Sequence, residues 1–423
     1  MSDTIAAVST GAAVSAIGIV RVSGPDAVTY AKRLFDAPLT EDRKLYYGKL
    51  SSADGKLLDM CMCTVSHAPN SYTGEDTAEF QCHGSPIVLR EVLEELFSLG
   101  ARQANPGEFT KRAFLNGRME LSSAEAVADL IDAETREAAL NAAGQLSGAI
   151  GAKTEKIYSD LTDISAHFHV ILDYPDDDLE KFEIPDLKEH IRTLDGLLKT
   201  YSRGRTLNTG IPTAIVGKPN AGKSSLLNAL VGYDRAIVTD IPGTTRDTIE
   251  EKINLDGVCL KLIDTAGIRE TDNEIEKMGV ERSLEAIRGA DLIINVIDGT
   301  TDDEPMENAL AVYNKCDLPG FKGGEIAVSA ITGEGIDRLI EEIKNRFPLP
   351  NVPAGEILTN ARQAEAIRTA REYLAAADDA LDKTPDIVLT EIEGAMKALG
   401  ELSGRSIRED VTNRIFERFC VGK

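Results

Sequence analysis

The stretch GKPNAGKS, residues 217–224, constrains the fold of this chain more than any other part of its sequence. It follows the apolar segment TAIVG and precedes SSLLNALVG, whose apolar residues have helical spacing. Two glycines separated by four residues and followed by Lys223 and Ser224 are typical of a phosphate loop, in which backbone amides and a helix N-terminus surround an anion. The stretch therefore predicts a strand, a phosphate-binding loop and a helix, with Lys223 reaching the β and γ phosphates as a catalytic residue.

The rest of the chain indicates three kinds of domain. Residues 211–347 alternate strand-like and helix-like segments, which predicts a doubly wound α/β domain. Alanine-rich helical segments precede it at 119–210, and helical spacing returns at 348–423 after the linker FPLPNVPAG. Because each helical part is too short to bury a core of its own, we expect one all-α domain into which the α/β domain is inserted. Residues 1–118 mix strands such as TAEFQCHG with helices such as PIVLREVLEELFSLG, so we expect an α+β N-terminal domain.

Three further motifs identify the nucleotide. DIPGTTRD, DTAG and NKCD follow the phosphate loop in that order, and VSA completes a base pocket. The Asp317 carboxylate can accept both N–H groups of the amino-imino edge of guanine, which adenine lacks, so the nucleotide is predicted to be GTP. The residues predicted to bind it are Asn220, Ala221, Gly222, Lys223, Ser224, Ser225, Thr239, Asp240, Ile241, Pro242, Gly243, Thr244, Thr245, Asp264, Thr265, Ala266, Gly267, Asn314, Lys315, Asp317, Ser329 and Ala330.

Further residues would bind the metal ion and position the attacking water. Ser224 and Thr245 are predicted to bind Mg²⁺. The position after DTAG, where a water-orienting glutamine often stands, is Ile268, and an aliphatic side chain cannot orient water. Glu274 and Glu276 are candidates for that role, although on spacing alone both fit equally well as capping residues of the following helix.

Composition restricts the surroundings in which the chain works. Its formal net charge of −24 argues against a broad, non-specific grip on nucleic acid, so contact with RNA would need a local basic patch or a partner that carries one. Six cysteines without framework spacing and an N-terminus without a signal pattern predict a reducing, cytoplasmic location. No apolar run is long enough to span a bilayer, and no membrane association is expected.

Cysteines in the N-terminal region raise the alternative of a metal site. Cys61 and Cys63 share one face of a predicted strand, and QCHG adds Cys82 and His83. Four such ligands could hold zinc, but a strand CxC lacks the two-residue loop of a zinc knuckle. This spacing favours packed thiols.

Several longer stretches carry a resemblance that covers nearly the whole chain. They are DTIAAVST, GIVRVSG, SYTGEDTAEFQCHGS, PGEFTKRAFLNGRMELSSAEAVADLIDA, the nucleotide motifs with GTTRD, and the terminal FCVGK. With them the chain resembles the MnmE (TrmE) family of tRNA-modification GTPases. The resemblance implies a homodimer that couples GTP hydrolysis to a folate-dependent change at carbon 5 of the wobble uridine of certain tRNAs. It also implies an FAD-containing partner, MnmG, through which most of the tRNA contact would be made.

The resemblance further implies a folate site in the N-terminal domain for a one-carbon tetrahydrofolate in formyl or methylene form. Glu79 would hold the pterin, whose amino-imino edge suits a carboxylate, and Arg21, Arg118 and Lys423 would be the other contacts. Cys420 would lie near the one-carbon unit, either as a catalytic nucleophile or as a packed thiol.

For GTP hydrolysis the resemblance implies a K⁺ ion in the place that an arginine finger takes in other GTPases. Glu276 would then be the catalytic residue that positions the attacking water. The residues that would bind K⁺ are Asn220, Thr239, Ile241 and Thr244.

Two features depart from the family pattern. Ser85 stands where a glycine usually follows HG. VIDG ends at residue 299 and NKCD begins at residue 314, which leaves too little chain for the helix and strand expected between them.

Other functions share part of these motifs. A ribosome-assembly or RNA-binding GTPase would normally add a basic RNA-binding module, which this acidic chain lacks. A folate-dependent aminomethyltransferase would have no use for a complete GTPase, and a purely regulatory switch would leave the terminal FCVGK idle.

Overall fold

A computed structural model of the chain describes residues 3–11, 13–174, 186–237, 252–263, 287–348, 350–405 and 409–423. The strands are β1 Ile5–Val8, β2 Ser15–Ser23, β3 Tyr46–Ser51, β4 Leu57–Ser66, β5 Thr77–Gly84, β6 Arg102–Gln103, β7 Ile211–Val216, β8 Lys252–Leu255, β9 Val258–Leu262, β10 Leu292–Asp298 and β11 Leu310–Asn314. The helices are α1 Ala27–Leu34, α2 Pro86–Ser98, α3 Glu108–Leu115, α4 Leu121–Ile131, α5 Arg136–Leu146, α6 Ala149–Asp173, α7 Leu187–Thr209, α8 Lys223–Ile237, α9 Ile336–Arg346, α10 Ala361–Asp379, α11 Pro385–Ser403 and α12 Glu409–Phe416.

The chain divides into two units. The first holds Met1–Ala128 and Lys397–Lys423, and the second holds the described residues between 129 and 396. Within the part of the chain that the structure describes, no helix is both long enough and apolar enough to cross a membrane.

The first unit contains a six-stranded sheet in the order β3-β4-β5-β2-β1-β6. Every pair is antiparallel except β1 with β6. Alternate residues of β5, namely Ala78, Phe80 and Cys82, are buried because successive side chains of a strand point to opposite faces. They share one core with residues of α1 and α2 such as Ala31 and Leu89. Helices therefore cover this face of the sheet, in the α+β arrangement expected of the N-terminal domain.

The carboxyl end of the chain also belongs to the first unit. Phe416 is only 2% exposed, and its ring centroid lies 5.3 Å from that of Phe419 and 6.4 Å from that of Phe114 in α3. Gly107, which precedes α3, has a φ of +66°, and a Cβ there would lie 2.7 Å from the Phe416 carbonyl oxygen. A glycine at this position lets the end of α12 approach the start of α3.

The second unit contains a five-stranded sheet in the order β11-β10-β7-β9-β8. Its strands are parallel apart from the β8–β9 hairpin. Leu226 and Leu230 of α8 and Leu339 and Ile343 of α9 belong to the core of this sheet. The chain leaves β7 toward β9 on one side and later returns to pair β10 on the other, so the loop after β7 lies at a topological switch point, where α/β proteins bind ligands.

The connection between the parallel strands β10 and β11 is unusually short. Residues 299–309 contain no helix, although parallel neighbours are usually joined through one. Met306 donates its backbone N–H to the Oδ1 atom of buried Asn295 in β10 at 2.9 Å, which holds the connection against the sheet. The short spacing noted in the sequence thus removes the expected helix and keeps the strand.

Helices from before β7 and after α9 also belong to the second unit. Asn141 of α5 is 2% exposed; its Nδ2 donates to the Ile357 carbonyl at 3.0 Å and its Oδ1 accepts from the Gly355 N–H at 2.9 Å. Arg371 of α10 pairs with Asp195 of α7 at 3.0 Å. Residues on either side of the α/β segment therefore contact one another in one helical assembly.

Candidate functional site

The loop between β7 and α8 requires glycine at two positions. Gly217 has a φ of +153°, and a Cβ there would lie 2.2 Å from the Val296 carbonyl oxygen. Gly222 has a φ of +95°, and a Cβ there would lie 2.1 Å from Nδ2 of Asn314. Asn220 is also left-handed, at a φ of +63°, a conformation that asparagine tolerates better than most residues. The loop backbone therefore lies directly against β10 and β11.

Lys223 folds back over this loop from the start of α8. Its Nζ donates to the Gly217 carbonyl at 2.9 Å and to the Lys218 carbonyl at 3.1 Å. Burial lowers the pKa of the Lys223 ammonium. Ser224 and Ser225 follow in the first turn of α8, where backbone N–H groups point out of the helix and the helix dipole is positive. The loop, the ammonium and the helix N-terminus together fit a bound phosphate group.

A buried asparagine joins the phosphate loop to the two segments predicted to bind the base. Asn314 ends β11 and is 3% exposed; its Nδ2 donates to the Ala221 carbonyl at 2.9 Å, and its Oδ1 accepts from the Ala330 N–H at 3.0 Å. Lys315 donates to Asp298 at 2.6 Å, and this hydrogen bond lowers the pKa of Asp298 to about 2. The NKCD and VSA segments are thus fixed against the loop.

The other two described residues of the predicted base pocket differ in exposure. Asp317 is exposed, so its carboxylate is accessible to a ligand. Ser329 is fully buried; its N–H donates to the Glu334 carbonyl at 2.9 Å and its Oγ accepts from the Thr332 N–H at 3.2 Å. Asp317 is therefore suited to contact a base, whereas Ser329 holds the pocket wall.

The remainder of the predicted nucleotide site lies outside the described residues. This includes one of the two predicted Mg²⁺ ligands, three of the four predicted K⁺ ligands and both water-positioning candidates. The residues concerned are Thr239, Asp240, Ile241, Pro242, Gly243, Thr244, Thr245, Asp264, Thr265, Ala266, Gly267, Ile268, Glu274 and Glu276.

A second cluster of functional residues lies in the first unit, around Arg21 of β2. Arg21 stands directly across from Glu79 of β5, and its Nε donates to Oε1 of Glu79 at 2.7 Å. The guanidinium carbon lies 5.4 Å from the ring centroid of Tyr72 and 5.6 Å from that of Phe109, within the range of cation–π attraction. Sequence reasoning missed both aromatic residues, although each lies inside a stretch that carries the family resemblance.

The carboxyl terminus is held close to this cluster by its backbone. The Gly107 N–H donates to the Cys420 carbonyl at 3.2 Å, and the Phe109 N–H donates to the Lys423 carbonyl at 3.1 Å. Ser9 donates its hydroxyl to the Gly422 carbonyl at 2.9 Å. These bonds fix the last four residues of the chain, which would otherwise fray as a terminus.

Arg21 and Lys423 place two cations near the Glu79 carboxylate. Burial, followed by the nearby Arg21 guanidinium, lowers the pKa of the Lys423 ammonium, while Glu79 and Cys420 act in the opposite direction. Two cations thus share one carboxylate in a half-buried place. Such a site suits a ligand that offers hydrogen-bond donors to Glu79 and a negative group to the cations.

Arg118, the remaining predicted folate ligand, stands apart from these contacts. It is exposed, its N–H donates to the Ala113 carbonyl at 2.8 Å, and its side chain lies beside Gly74. Gly74 belongs to the same loop as Tyr72. The structure therefore brings Arg21, Glu79 and Lys423 together and places Arg118 beside that loop.

A partly buried ion network, which sequence reasoning also missed, lines a cavity in the first unit. Arg112 of α3 pairs with Asp3 at 2.8 Å and with Glu75 and Glu108 at 3.0 Å each. Arg102 pairs with Asp3 at 2.5 Å and with Glu108 at 2.7 Å. Glu75, Glu108 and Arg112 line a cavity of about 580 Å³. The only sequence signal was the alternation of charges within PGEFTKRAF.

These features define a class of protein. A phosphate loop between a strand and a helix, joined by an asparagine to an NKCD segment, is the arrangement of a P-loop GTP-binding protein. Two family models match the chain: the MnmE helical domain matches residues 121–420, and the GTP-binding protein TrmE N-terminus matches residues 4–118. The chain belongs to the MnmE family of tRNA modification GTPases.

Curated relatives named tRNA modification GTPase MnmE are similar to the chain over its full length. The relative from Akkermansia muciniphila is 43% identical over 99% of both chains. A relative from Thermus thermophilus is 42% identical over 100% of both. The relative from Thermoanaerobacter sp. (strain X514) is 40% identical over 100% of this chain and 99% of its own. That last alignment spans 457 positions, more than the 423 residues of this chain, so it includes positions at which this chain has no residue.

Among solved structures, a variant of the protein SsGBP in which a glycine is replaced by proline aligns with 45% of this chain and 84% of its own. The TM-score is 0.23 and the sequence identity is 16%.

Proposed function

We propose that this protein hydrolyses GTP in the course of modifying the wobble uridine of certain tRNAs in the cytoplasm. With the FAD-containing partner MnmG, it would use a one-carbon tetrahydrofolate to install a carboxymethylaminomethyl or aminomethyl group at carbon 5. The observation that carries the proposal is that one chain of the MnmE family holds both a phosphate-loop cradle and the Arg21–Glu79–Lys423 cluster. A GTPase without folate chemistry would need only the first of these.

The nucleotide would lie across the loop between β7 and α8. Loop amides and Lys223 would bind the β and γ phosphates, and the exposed Asp317 carboxylate would accept two hydrogen bonds from guanine. Ser224 and Thr245 would hold Mg²⁺, which neutralises charge on the phosphate oxygens when bound. Ser224 fits this role because it lies in the first turn of α8, directly after Lys223.

Charge compensation and the positioning of water would come from this chain rather than from an arginine finger. Asn220 would offer its side-chain carbonyl to K⁺, together with Thr239, Ile241 and Thr244. Asn220 has a left-handed backbone and lies in the loop before the first turn of α8, and this position in the phosphate loop supports the assignment. Glu276 would position the attacking water.

The folate would occupy the site around Arg21. Its pterin edge offers N–H groups that a carboxylate such as Glu79 can accept, and its glutamate tail offers carboxylates to Arg21, Lys423 and Arg118. Cys420 would lie near the one-carbon unit, because its backbone is fixed to Gly107, next to the Phe109 N–H that binds the Lys423 backbone.

We also infer two features of the architecture. The α/β GTPase domain is an insertion in the helical domain, an inference supported by the bond from Asn141 to Ile357 that links helical segments on either side of it. The protein is a homodimer through its N-terminal domain. In support, Tyr47 and Met62 are paired across β3 and β4 and are 66% and 38% exposed, so apolar surface remains on the sheet face opposite its helices.

Mass spectrometry of wobble nucleosides tests the proposed function. In cells that lack this chain, the modified uridine should disappear from the affected tRNAs and return when the gene is restored. A chain carrying Lys223→Ala should fail to restore it. Unchanged nucleosides together with a ribosome-assembly defect would instead support the alternative of a ribosome-assembly or RNA-binding GTPase.

A further inference from the structure

Strands β4 and β5 bring three metal-binding side chains together. The ligand atoms of Asp59, Cys61 and Cys82 all lie within 4.8 Å of one another. Cys61 is 4% exposed, Cys82 is 1% exposed, and the Asp59 side chain is 9% exposed. The cluster thus stands on two adjacent strands of a sheet, where its side chains are held by the backbone and by packing rather than by a mobile loop.

The pairing of the strands sets the surroundings of the two thiols. Hydrogen-bonded pairing between β4 and β5 runs from Ser66 with Thr77 to Met62 with Gln81 and ends there, immediately before Cys61 and Cys82. On their other sides these two cysteines pair with glycines, Cys61 with Gly48 and Cys82 with Gly18. Neither neighbouring strand therefore places a side chain beside the thiols, and Leu89 of α2 and Phe35 pack over the two glycines.

Asp59 is oriented by a histidine at the edge of the cluster. Its Oδ2 accepts from the His83 backbone N–H at 2.8 Å, and its Oδ1 lies 2.8 Å from Nδ1 of the His83 ring. Ligating carboxylates in metal sites are commonly held by hydrogen bonds of this kind. The His83 imidazole is 74% exposed, so the cluster has a polar route to solvent on this side.

The chemistry of the three donors selects one class of ion. Two thiols beside a carboxylate are an unusual combination for an apolar core, and here the carboxylate is held in place by the N–H groups of Met60 and His83 and by the His83 ring. Thiolate ligands select Zn²⁺ over Mg²⁺ or Ca²⁺, and Zn²⁺ accepts mixed sulfur and oxygen ligands at tetrahedral sites. We propose that Asp59, Cys61 and Cys82 form a zinc site in the N-terminal domain, with water at the fourth position and His83 as the group that orients Asp59.

This site differs from the one that the sequence raised as an alternative. Among the described residues, Cys63 is buried on β4 but does not belong to the metal-binding cluster. Asp59 is the third ligand instead. The site is also separate from the Arg21–Glu79–Lys423 cluster, so zinc would fix the ends of β4 and β5 and take no part in GTP binding.

Cobalt titration of the full-length, reduced chain tests the proposal. Co²⁺ added to one equivalent should produce a thiolate-to-metal charge-transfer band, which Zn²⁺ then removes by displacement. The band should be lost in Cys61→Ser and in Cys82→Ser and retained in Cys63→Ser and Cys420→Ser, which remove thiols outside the cluster. His83→Ala should weaken Co²⁺ binding by about 10–100-fold, as expected for loss of a group that orients a ligand.

Thermal melting provides a second readout in case a cysteine variant folds poorly. Zn²⁺ should raise the melting temperature of the unaltered chain and of Cys63→Ser, and it should not raise that of Asp59→Asn. No band in the unaltered chain, a band that survives in Cys61→Ser, or equal stabilisation of Asp59→Asn would each overturn the proposal.

Discussion

Single ionised side chains hold the N-terminal domain together around α3. Hydrogen bonds from Arg102 hold the pKa of Asp3 to about 2. Burial raises the pKa of Glu108, but the hydrogen bonds from Arg102, the Asn105 N–H and Arg112 outweigh it and bring that pKa to about 2. The ionised forms of these carboxyl groups are therefore more stable in the folded protein than in the unfolded chain. The free energy of unfolding consequently depends on pH.

Glu108 should make the stability of the protein depend on acid. Its folded pKa lies below its unfolded value of 4.5, so the stabilisation is fully present above pH 4.5 and is lost as the pH falls toward 2. The shift of the Glu108 pKa from 4.5 to about 2 corresponds to a contribution on the order of 3 kcal/mol. Solvent screens this contribution little, because the Glu108 side chain is only 12% exposed. Melting temperatures measured from pH 7 to pH 2 should fall over this window in the unaltered chain.

Glu108→Gln should lower the melting temperature at pH 7 and flatten the acid dependence. Glu417→Gln serves as the control, because Glu417 is an exposed carboxylate that lines the same cavity. Equal acid profiles for the unaltered chain and Glu108→Gln would show that the network does not control stability.

Cys420 should separate the two chemistries of the protein. Cys420→Ser keeps the size of the side chain and the backbone bond from Gly107 but removes the thiol. If Cys420 acts as a nucleophile, modification of tRNA by the variant with MnmG should fall to background while GTP hydrolysis is unchanged, because the phosphate loop lies in the other unit. Nucleoside analysis and phosphate release measure the two activities. Full modification by the variant would make Cys420 a packed thiol, and a parallel loss of GTP hydrolysis would show that the activities are not separable.

At the scale of elements, the C-terminal segment after α12 acts as a short strap. Gly422 has a φ of +97°, and a Cβ there would lie 2.2 Å from the Val8 carbonyl oxygen and 3.0 Å from Cα of Ser9. Both neighbouring atoms belong to backbone and cannot rotate away. The glycine therefore serves the close approach of the terminus to the end of β1, and this approach holds Lys423 near Arg21.

Gly422→Ala should release this strap. The affinity for 5-formyltetrahydrofolate should fall by about tenfold, equivalent to about 1.4 kcal/mol, because Lys423 is no longer held beside Arg21. Gly55→Ala is a matched control: Gly55 has a φ of +88° but open space around it, so it reports the cost of the left-handed backbone alone. Calorimetric titration should show weakened binding only in Gly422→Ala. Equal affinities in the two variants would mean that the strap does not position a folate ligand.

At the scale of the whole molecule, the N-terminal domain leaves apolar side chains exposed on its open sheet face. Ile17 and Tyr47 are 57% and 66% exposed. A constitutive homodimer should bury such surface, so sedimentation should find a dimer without nucleotide at micromolar protein. Tyr47→Glu should shift the chain toward monomer, whereas Tyr373→Glu, at a 38% exposed tyrosine of α10, should leave the dimer intact. A nucleotide-free monomer of the unaltered chain would contradict the prediction.

Assembly should also control GTP hydrolysis, because two GTPase domains that meet would exclude water and order the segments that bind K⁺. Hydrolysis should be fast in K⁺ and slow in Na⁺. Asn220→Lys should weaken this ion dependence by placing an ammonium near the ion. Glu276→Ala should slow turnover by about a hundredfold, typical for the loss of one transition-state contact, with nearly unchanged GTP affinity. Stopped-flow and nucleotide-binding measurements check both variants, and equal rates in the two salts would remove the ion from the mechanism.

Local patterns predicted the elements of this protein because they depend on short stretches of chain. TAEFQCHG is β5, PIVLREVLEELFS is α2, and GKPNAGKS joins β7 to α8. Alternation, helical spacing and glycine placement act over a few residues, so they can be read without knowing the fold. The alanine-rich stretch with helical spacing is divided between α4 and α5, and Thr135 caps α5 by accepting from the Ala138 N–H.

By itself the sequence determined the phosphate loop, the guanine-reading motif and the family. What only the tertiary structure decided were the contacts between residues far apart in the chain. Tyr72 and Phe109 lie against Arg21, Arg112 joins Asp3 to Glu75, and Asp59 rather than Cys63 joins Cys61 and Cys82. No local pattern specifies such pairs, because strand order and the path of the terminus are set by packing of the whole domain.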